Sequence, residues 1–214
     1  EEIGKPNEDL YGVRFVGSRG YLVTFERTDP LYTIDLSDPT DPYIVGALEV
    51  TGFSNFLHPV SDDLLLGLGQ SEDSDVKLEL FDISDFDAPR SQGVLTLGSD
   101  LAWSISTAEY DRHAFSYLAG DTTDRFTIPL SGYSGGANSA WLERLQLLEI
   151  RNKDQAATAS LADLGYLSVT GLGAGEYPSN RSRGVISDDA VYFINGTNVF
   201  SSFWSDPFNQ VGPR

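Results

Sequence analysis

The chain has 214 residues, 40% of them hydrophobic, and carries 14 basic against 32 acidic side chains, for a net charge of −18. It can bury a substantial core, no run is apolar enough to span a membrane, and the acidity would repel nucleic acid along most of the surface. With no cysteine, neither a disulfide frame nor a Cys-ligated metal is available.

Such acidity suits a soluble, extracytoplasmic protein. The opening EEIGKPNEDL is not a signal peptide, so a mature form or a chain without its upstream part is expected. Val13–Val16 and Tyr21–Phe25 read as a hairpin turned through Gly17–Gly20. Tyr32, Ile34 and Leu36 then alternate with Thr33, Asp35 and Ser37, the period-2 pattern of a half-buried strand over Leu31–Leu36. Ser37-Asp38-Pro39 stops it, since Asp bonds its own backbone in a turn and Pro removes a ladder donor. A fourth strand is expected over Tyr43–Val50, and Thr51–Leu57 is expected to cross to the next unit.

The same pattern returns. A strand at His58-Pro59-Val60 turns at Ser61–Asp63 into Leu64–Leu68, followed by strands at Val76–Ile83 and Val94–Leu97 and a crossing over Leu101–Tyr110. Asp35 matches Asp82, Ser37 matches Ser84, Asp38 matches Asp85 and Pro42 matches Pro89, all at an offset of 47 residues. A third unit opens at His113–Tyr117, turns at Ala119–Asp124 and returns as Arg125–Leu130. Ser131–Ser139 is expected to be a mobile surface excursion outside the sheets. Leu145–Ile150 resumes the third strand, with Glu149 in the place of Asp82. A short helix over Trp141–Ile150 is the alternative. That offset is 67, so this unit carries 67 − 47 = 20 extra residues. A fourth unit runs through Arg183–Ile186, a turn at Ser187–Asp189, Ala190–Ile194 and Asn198–Trp204.

Short strands repeating at this length point to an all-β fold of four-stranded antiparallel blades, a β-propeller, because each blade buries its faces only against its neighbours. The blades are expected at residues 13–50, 58–98, 113–170 and 183–214. They form a single propeller domain of 1–214, either a small ring or part of a larger one.

RFVGSRGYLVTFERTDPLYTIDLSDPTDPYIVGALEVTGFSNFLHPVSDDLLLGLGQ resembles the β-propeller domain of secreted prokaryotic proteins, a family distantly related to WD-40 repeats. Its LYTIDLSDPTDPYIVG core is also similar to the LVIVD-type repeat of bacterial surface proteins. The similarity is dense over residues 10–118 and thinner to about 204. It implies a propeller fold and a secreted or surface location, periplasm included, and it brings no catalytic residues.

The Asp-rich turns 35–41 and 82–87 could offer oxygen ligands to Ca²⁺, but they lack the spacing of a Ca²⁺ loop, and turn chemistry accounts for them more simply. Two histidines are too few for a multi-His zinc site unless carboxylates complete it. No GxSxG elbow or SxDxGxxW box appears, so no catalytic residues and no cofactor are assigned. Of the aromatics, Tyr133 and Trp141 beside the long loop are candidates for partner contact. Arg14, His58, His113 and Arg183 recur near the blade entrances. They are expected to converge on a channel mouth that holds an anionic group, or else to act as staples paired with acids such as Asp35, Asp82 and Glu149. The expected function is a secreted or surface binding platform for a protein or surface ligand. A metal-assisted hydrolase or lyase acting on a sugar or ester in the channel is the alternative.

Overall fold

The structure, a computed structural model, describes residues 9–25, 29–135, 139–172 and 177–214. Seventeen strands are described: β1 (Asp9–Val16), β2 (Arg19–Phe25), β3 (Asp29–Asp35), β4 (Tyr43–Val50), β5 (Phe53–Pro59), β6 (Leu64–Gln70), β7 (Val76–Asp82), β8 (Arg90–Leu97) and β9 (Leu101–Ile105) in the first half. The second half holds β10 (Ser116–Leu118), β11 (Thr123–Ser134), β12 (Trp141–Arg151), β13 (Ser160–Ser168), β14 (Ser182–Ser187), β15 (Ala190–Asn195), β16 (Asn198–Phe203) and β17 (Asp206–Val211). They form four sheets in meander order, β1–β4, β5–β8, β10–β13 and β14–β17, here blades one to four. No α-helix occurs among the described residues, only three 3₁₀ turns.

The repeat read from sequence is a repeat in space. Asp35 and Asp82 are the last residues of β3 and β7, and each carboxylate accepts the backbone N–H two residues on, Ser37 at 2.7 Å and Ser84 at 3.0 Å. The turns that follow close alike, Asp41 N–H to the Asp38 carbonyl and Ala88 N–H to Asp85, both at 3.1 Å. One residue beyond the third strand of blades one, two and four, Leu36, Ile83 and Trp204 donate to carbonyls in the first hairpin of their own blade, Ser18, Asp63 and Asp189. Glu149 stands opposite Arg125 in the register as Asp35 stands opposite Arg19, which supports the match across the longer third blade. At the first hairpin Gly17 takes φ +57°, a conformation that a side chain would strain.

Several boundaries differ from expectation. Blade two begins at Phe53, inside the stretch expected to cross, because β5 carries a bulge at Asn55 matching the one at Tyr11 in β1. A bulge breaks the alternation that would have revealed either strand start. The expected crossing Leu101–Tyr110 contains β9, which pairs with the far end of β11. The excursion expected over Ser131–Ser139 is a strand as far as Ser134, while residues 136–138 lie outside the described residues. Its small residues mark a close approach: a Cβ on Gly132 would lie 2.3 Å from the Trp103 carbonyl. Trp141–Ile150 is strand rather than helix, and His113 sits in the 3₁₀ turn Arg112–Ala114 rather than opening a strand. The fourth strand of the last blade is present as β17.

The chain divides into two compact units. The first holds blades one and two with Asn152–Ser160. Its core packs Tyr21, Val23 and Leu31 of blade one against Leu57, Leu65, Phe81 and Ile83 of blade two. The second holds blades three and four, with Leu145, Leu147 and Leu167 packed on Val191, Phe193, Phe200 and Trp204.

Candidate functional site

Within each unit one arginine reaches from one blade to the first hairpin of the next. In the first unit Arg19 donates to the Asp62 carbonyl at 3.4 Å and lies 4.9 Å from the centre of the Phe86 ring. In the second, Arg125 donates to the Asp188 carbonyl at 3.0 Å and lies 5.4 Å from the Trp204 ring. Both hairpins read Ser-Asp-Asp, and both contacts fall within the range where a cation gains from an aromatic face. Each arginine borders a cleft, about 370 Å³ beside Arg19 and about 500 Å³ beside Arg125. Glu149 fixes the Trp204 edge by accepting from its Nε1 at 3.0 Å and also holds Arg151 Nε at 2.8 Å. These arginines are the staples that sequence reasoning sought elsewhere. The two Ser-Asp-Asp turns were the available signal.

The four basic residues expected to share one position divide into two pairs. Arg14 faces Tyr21 and His58 faces Leu66, the same slot counted from the hairpin contacts, on β1 and β5. The corresponding residues in blades three and four are Ser116, facing Thr127, and Val185, facing Tyr192. His113 and Arg183 are therefore out of register, and they meet each other instead. Asp111 accepts from the His113 backbone N–H at 3.0 Å, stands 3.1 Å from its Nδ1 and accepts from Arg183 Nη2 at 2.5 Å. The His113 backbone hydrogen bond first, then the His113 side chain and the positive charge of Arg183, hold the Asp111 carboxyl below its ordinary range against the opposing effect of burial. Arg183 is thus a tie between blades three and four, and His113 is largely exposed beside it.

A third feature rises from the enlarged third blade. Trp103 on β9, Tyr133 on β11 and Trp141 on β12 form one aromatic cluster, with ring centroids 5.1 to 6.0 Å apart. Trp103 is 37% and Tyr133 42% exposed. Glu143, two residues along from Trp141 and almost wholly buried, braces the cluster. It accepts from Trp141 Nε1 at 2.8 Å, Ser131 Oγ at 2.9 Å and, from blade four, Ser182 Oγ at 3.1 Å. Burial pushes its carboxyl pKa up, and these hydrogen bonds only partly oppose the shift. The sequence points to Tyr133 and Trp141, whereas Trp103 lies in the stretch expected to be a crossing.

Among the described residues, no three His, Asp or Glu side chains are grouped as a metal ion would need, and no helix is long and apolar enough to cross a membrane. A family model for the beta propeller domain matches residues 1–206. The chain belongs to that family. It is 40% identical over 108 residues, half of its length, to an uncharacterized protein of Methanocaldococcus jannaschii. It is 48% identical over 86 residues, 40% of its length, to an uncharacterized protein of Archaeoglobus fulgidus. The matched stretches span only 17% and 14% of those two relatives. Among solved structures, the N-terminal domain of Nup159 aligns over 91% of this chain and 60% of its own, at 10% identity and a TM-score of 0.29, too slight a likeness to carry an argument.

Proposed function

We propose that this beta propeller domain is a non-catalytic binding platform, secreted or held at the cell surface, whose ligand is a protein or a surface component. The observation that carries the reading is the Trp103–Tyr133–Trp141 cluster. It stands on the blade that departs from the repeat, it leaves large aromatic area in water, and a buried carboxylate braces it from behind. Rigid aromatic anchors with locked rotamers are what a binding surface uses to gain affinity at low entropic cost. The secreted or surface location rests on the resemblance to secreted propeller domains and on the acidic composition.

The test compares the wild-type chain with the Trp103→Ala/Tyr133→Ala double variant on a glycan array and in selections from a peptide display library. The expected result is a set of ligands bound by the wild type and lost in the folded variant. Equal binding by both, or turnover of glycoside or ester substrates by the wild type, overturns the reading. Fractionation of cells expressing the full-length gene tests the location.

A further inference from the structure

One cross-strand slot recurs in all four blades. Tyr21, Leu66, Thr127 and Tyr192 fill it on the second strands, opposite Arg14, His58, Ser116 and Val185. On the third strand the slot continues as Thr33 beside Tyr21, Leu147 beside Thr127 and Ser201 beside Tyr192. In the first unit this face turns to the following blade. Tyr21 packs with Leu57, Leu65 and Phe81 of blade two, and the Thr33 hydroxyl donates to the Phe86 carbonyl at 2.7 Å. In the second unit Leu147 packs with Val191 and Phe193 of blade four, and Thr127 lies so near β14 that a Cβ on Gly184 would overlap its Oγ1. Tyr21, Leu66 and Thr127 are all buried to 1% exposure or less.

Blade four keeps the same face in water. Tyr192 is 39%, Val211 51% and Phe203 63% exposed, and with Ser201 they line a cleft of about 240 Å³. The opposite face of these strands, Val191, Phe193 and Phe200, is fully buried in the core shared with blade three. A sheet that is apolar on both faces and covered on one still calls for a second layer.

We infer that this face of blade four is the seat of a further four-stranded blade supplied by the same polypeptide. Its slots are those that receive blade two on blade one and blade four on blade three, so the fitting surface is the apolar leading face of a blade. Ser201 stands where Thr33 does, placed to donate to a carbonyl of the incoming blade as Thr33 donates to Phe86. A second copy of the chain would bring another net charge of −18 against the first, which opposes that occupant. The two archaeal relatives are about six and seven times as long as the stretches that match, length enough for further blades. The inference does not depend on the aromatic cluster of blade three.

The experiment is hydroxyl-radical footprinting read by mass spectrometry, on the 214-residue chain and on the product of the full-length gene. Tyr192 and Phe203 are expected to oxidise freely in the 214-residue chain at every concentration, and roughly tenfold more slowly in the full-length protein, as burial to the level of Tyr21 requires. Phe208, 81% exposed on the side of β17 that faces Tyr166 of blade three, is expected to react alike in both and reports the dose. Equal oxidation of Tyr192 and Phe203 in the two proteins overturns the inference, as does a slowing that Phe208 shares. Protection already present in the 214-residue chain also overturns it. Relieved by dilution, that protection identifies a second copy as the occupant; retained, it identifies the chain's own residues.

Discussion

Glu143 and Glu149 lie on one face of β12 and meet opposite surroundings. Glu149 has the Arg151 guanidinium beside it, whereas Glu143 is offered only neutral donors, an indole and two hydroxyls. A buried anion without a cation raises its own pKa, and the sign of the consequence is fixed by linkage. Because the folded pKa lies above the unfolded one, the folded chain holds this proton more tightly. Stability falls as pH rises from the ordinary glutamate range through the raised value, and the full penalty is present above it. Asp100 works the other way: hydrogen bonds from Arg144 lower its pKa, so its contribution is present above the ordinary aspartate range and lost as pH falls through the lowered value. Glu143→Gln keeps an acceptor for Trp141 and removes the charge. It is expected to stabilise the chain by roughly 1 kcal/mol at neutral pH and to gain nothing in mild acid. Urea unfolding at the two pH values checks this. An equal loss at both would mean that the charged hydrogen bonds outweigh burial.

At the scale of strands and blades, the repeat creates positions equal in sequence and unequal in surroundings. Gly46 on β4 and Gly93 on β8 stand at the common offset of 47. A Cβ on Gly46 would meet the Asp87 carbonyl at 2.5 Å and Thr33 Oγ1 at 2.9 Å, where Thr33 already donates to the Phe86 carbonyl of the next blade. A Cβ on Gly93 would meet nothing within 4 Å. Gly46→Ala is therefore expected to destabilise by about 1–3 kcal/mol through overpacking between blades. Gly93→Ala should be neutral or slightly stabilising, since it only restricts the unfolded chain. Chemical denaturation of both variants is the check, and equal effects would mean that blade one does not pack on blade two as described. The pair also shows what was legible beforehand. The recurring Asp-rich turns after β3 and β7 exposed strands two to four of the first two blades, although β6 and β7 are buried on both faces and so carry no wet side. The starts of β1 and β5 were lost at their bulges, and β9 was lost because it binds a strand edge that only the fold creates. Among the site residues, Asp35 and Asp82 were readable because a local turn fixes them. Arg19 and Arg125 were not, since their partners lie 43 and 63 residues away.

For the whole molecule, the question is whether salt weakens or strengthens the fold. Added ions screen the ties described above, of which Arg144 with Asp100 and Arg183 with Asp111 are the closest, and each such partly exposed pair contributes only modestly. They also screen the mutual repulsion of 32 acidic side chains against 14 basic ones. Repulsion acts over the whole surface, at distances longer than a contact, and so is screened first as the Debye length falls from about 10 Å at 0.1 M toward about 3 Å at 1 M. The few ties are short and partly shielded, so they keep more of their strength at the same salt concentration. Repulsion should therefore dominate the balance, and the melting temperature is expected to rise by several degrees between about 0.02 M and 1 M sodium chloride. Sodium sulfate at matched ionic strength should raise it further by exclusion from the apolar surface. Thermal unfolding by circular dichroism across the two salt series decides the matter. A flat or falling melting temperature in chloride would show that the arginine ties, rather than the net charge, govern the electrostatic stability of this chain.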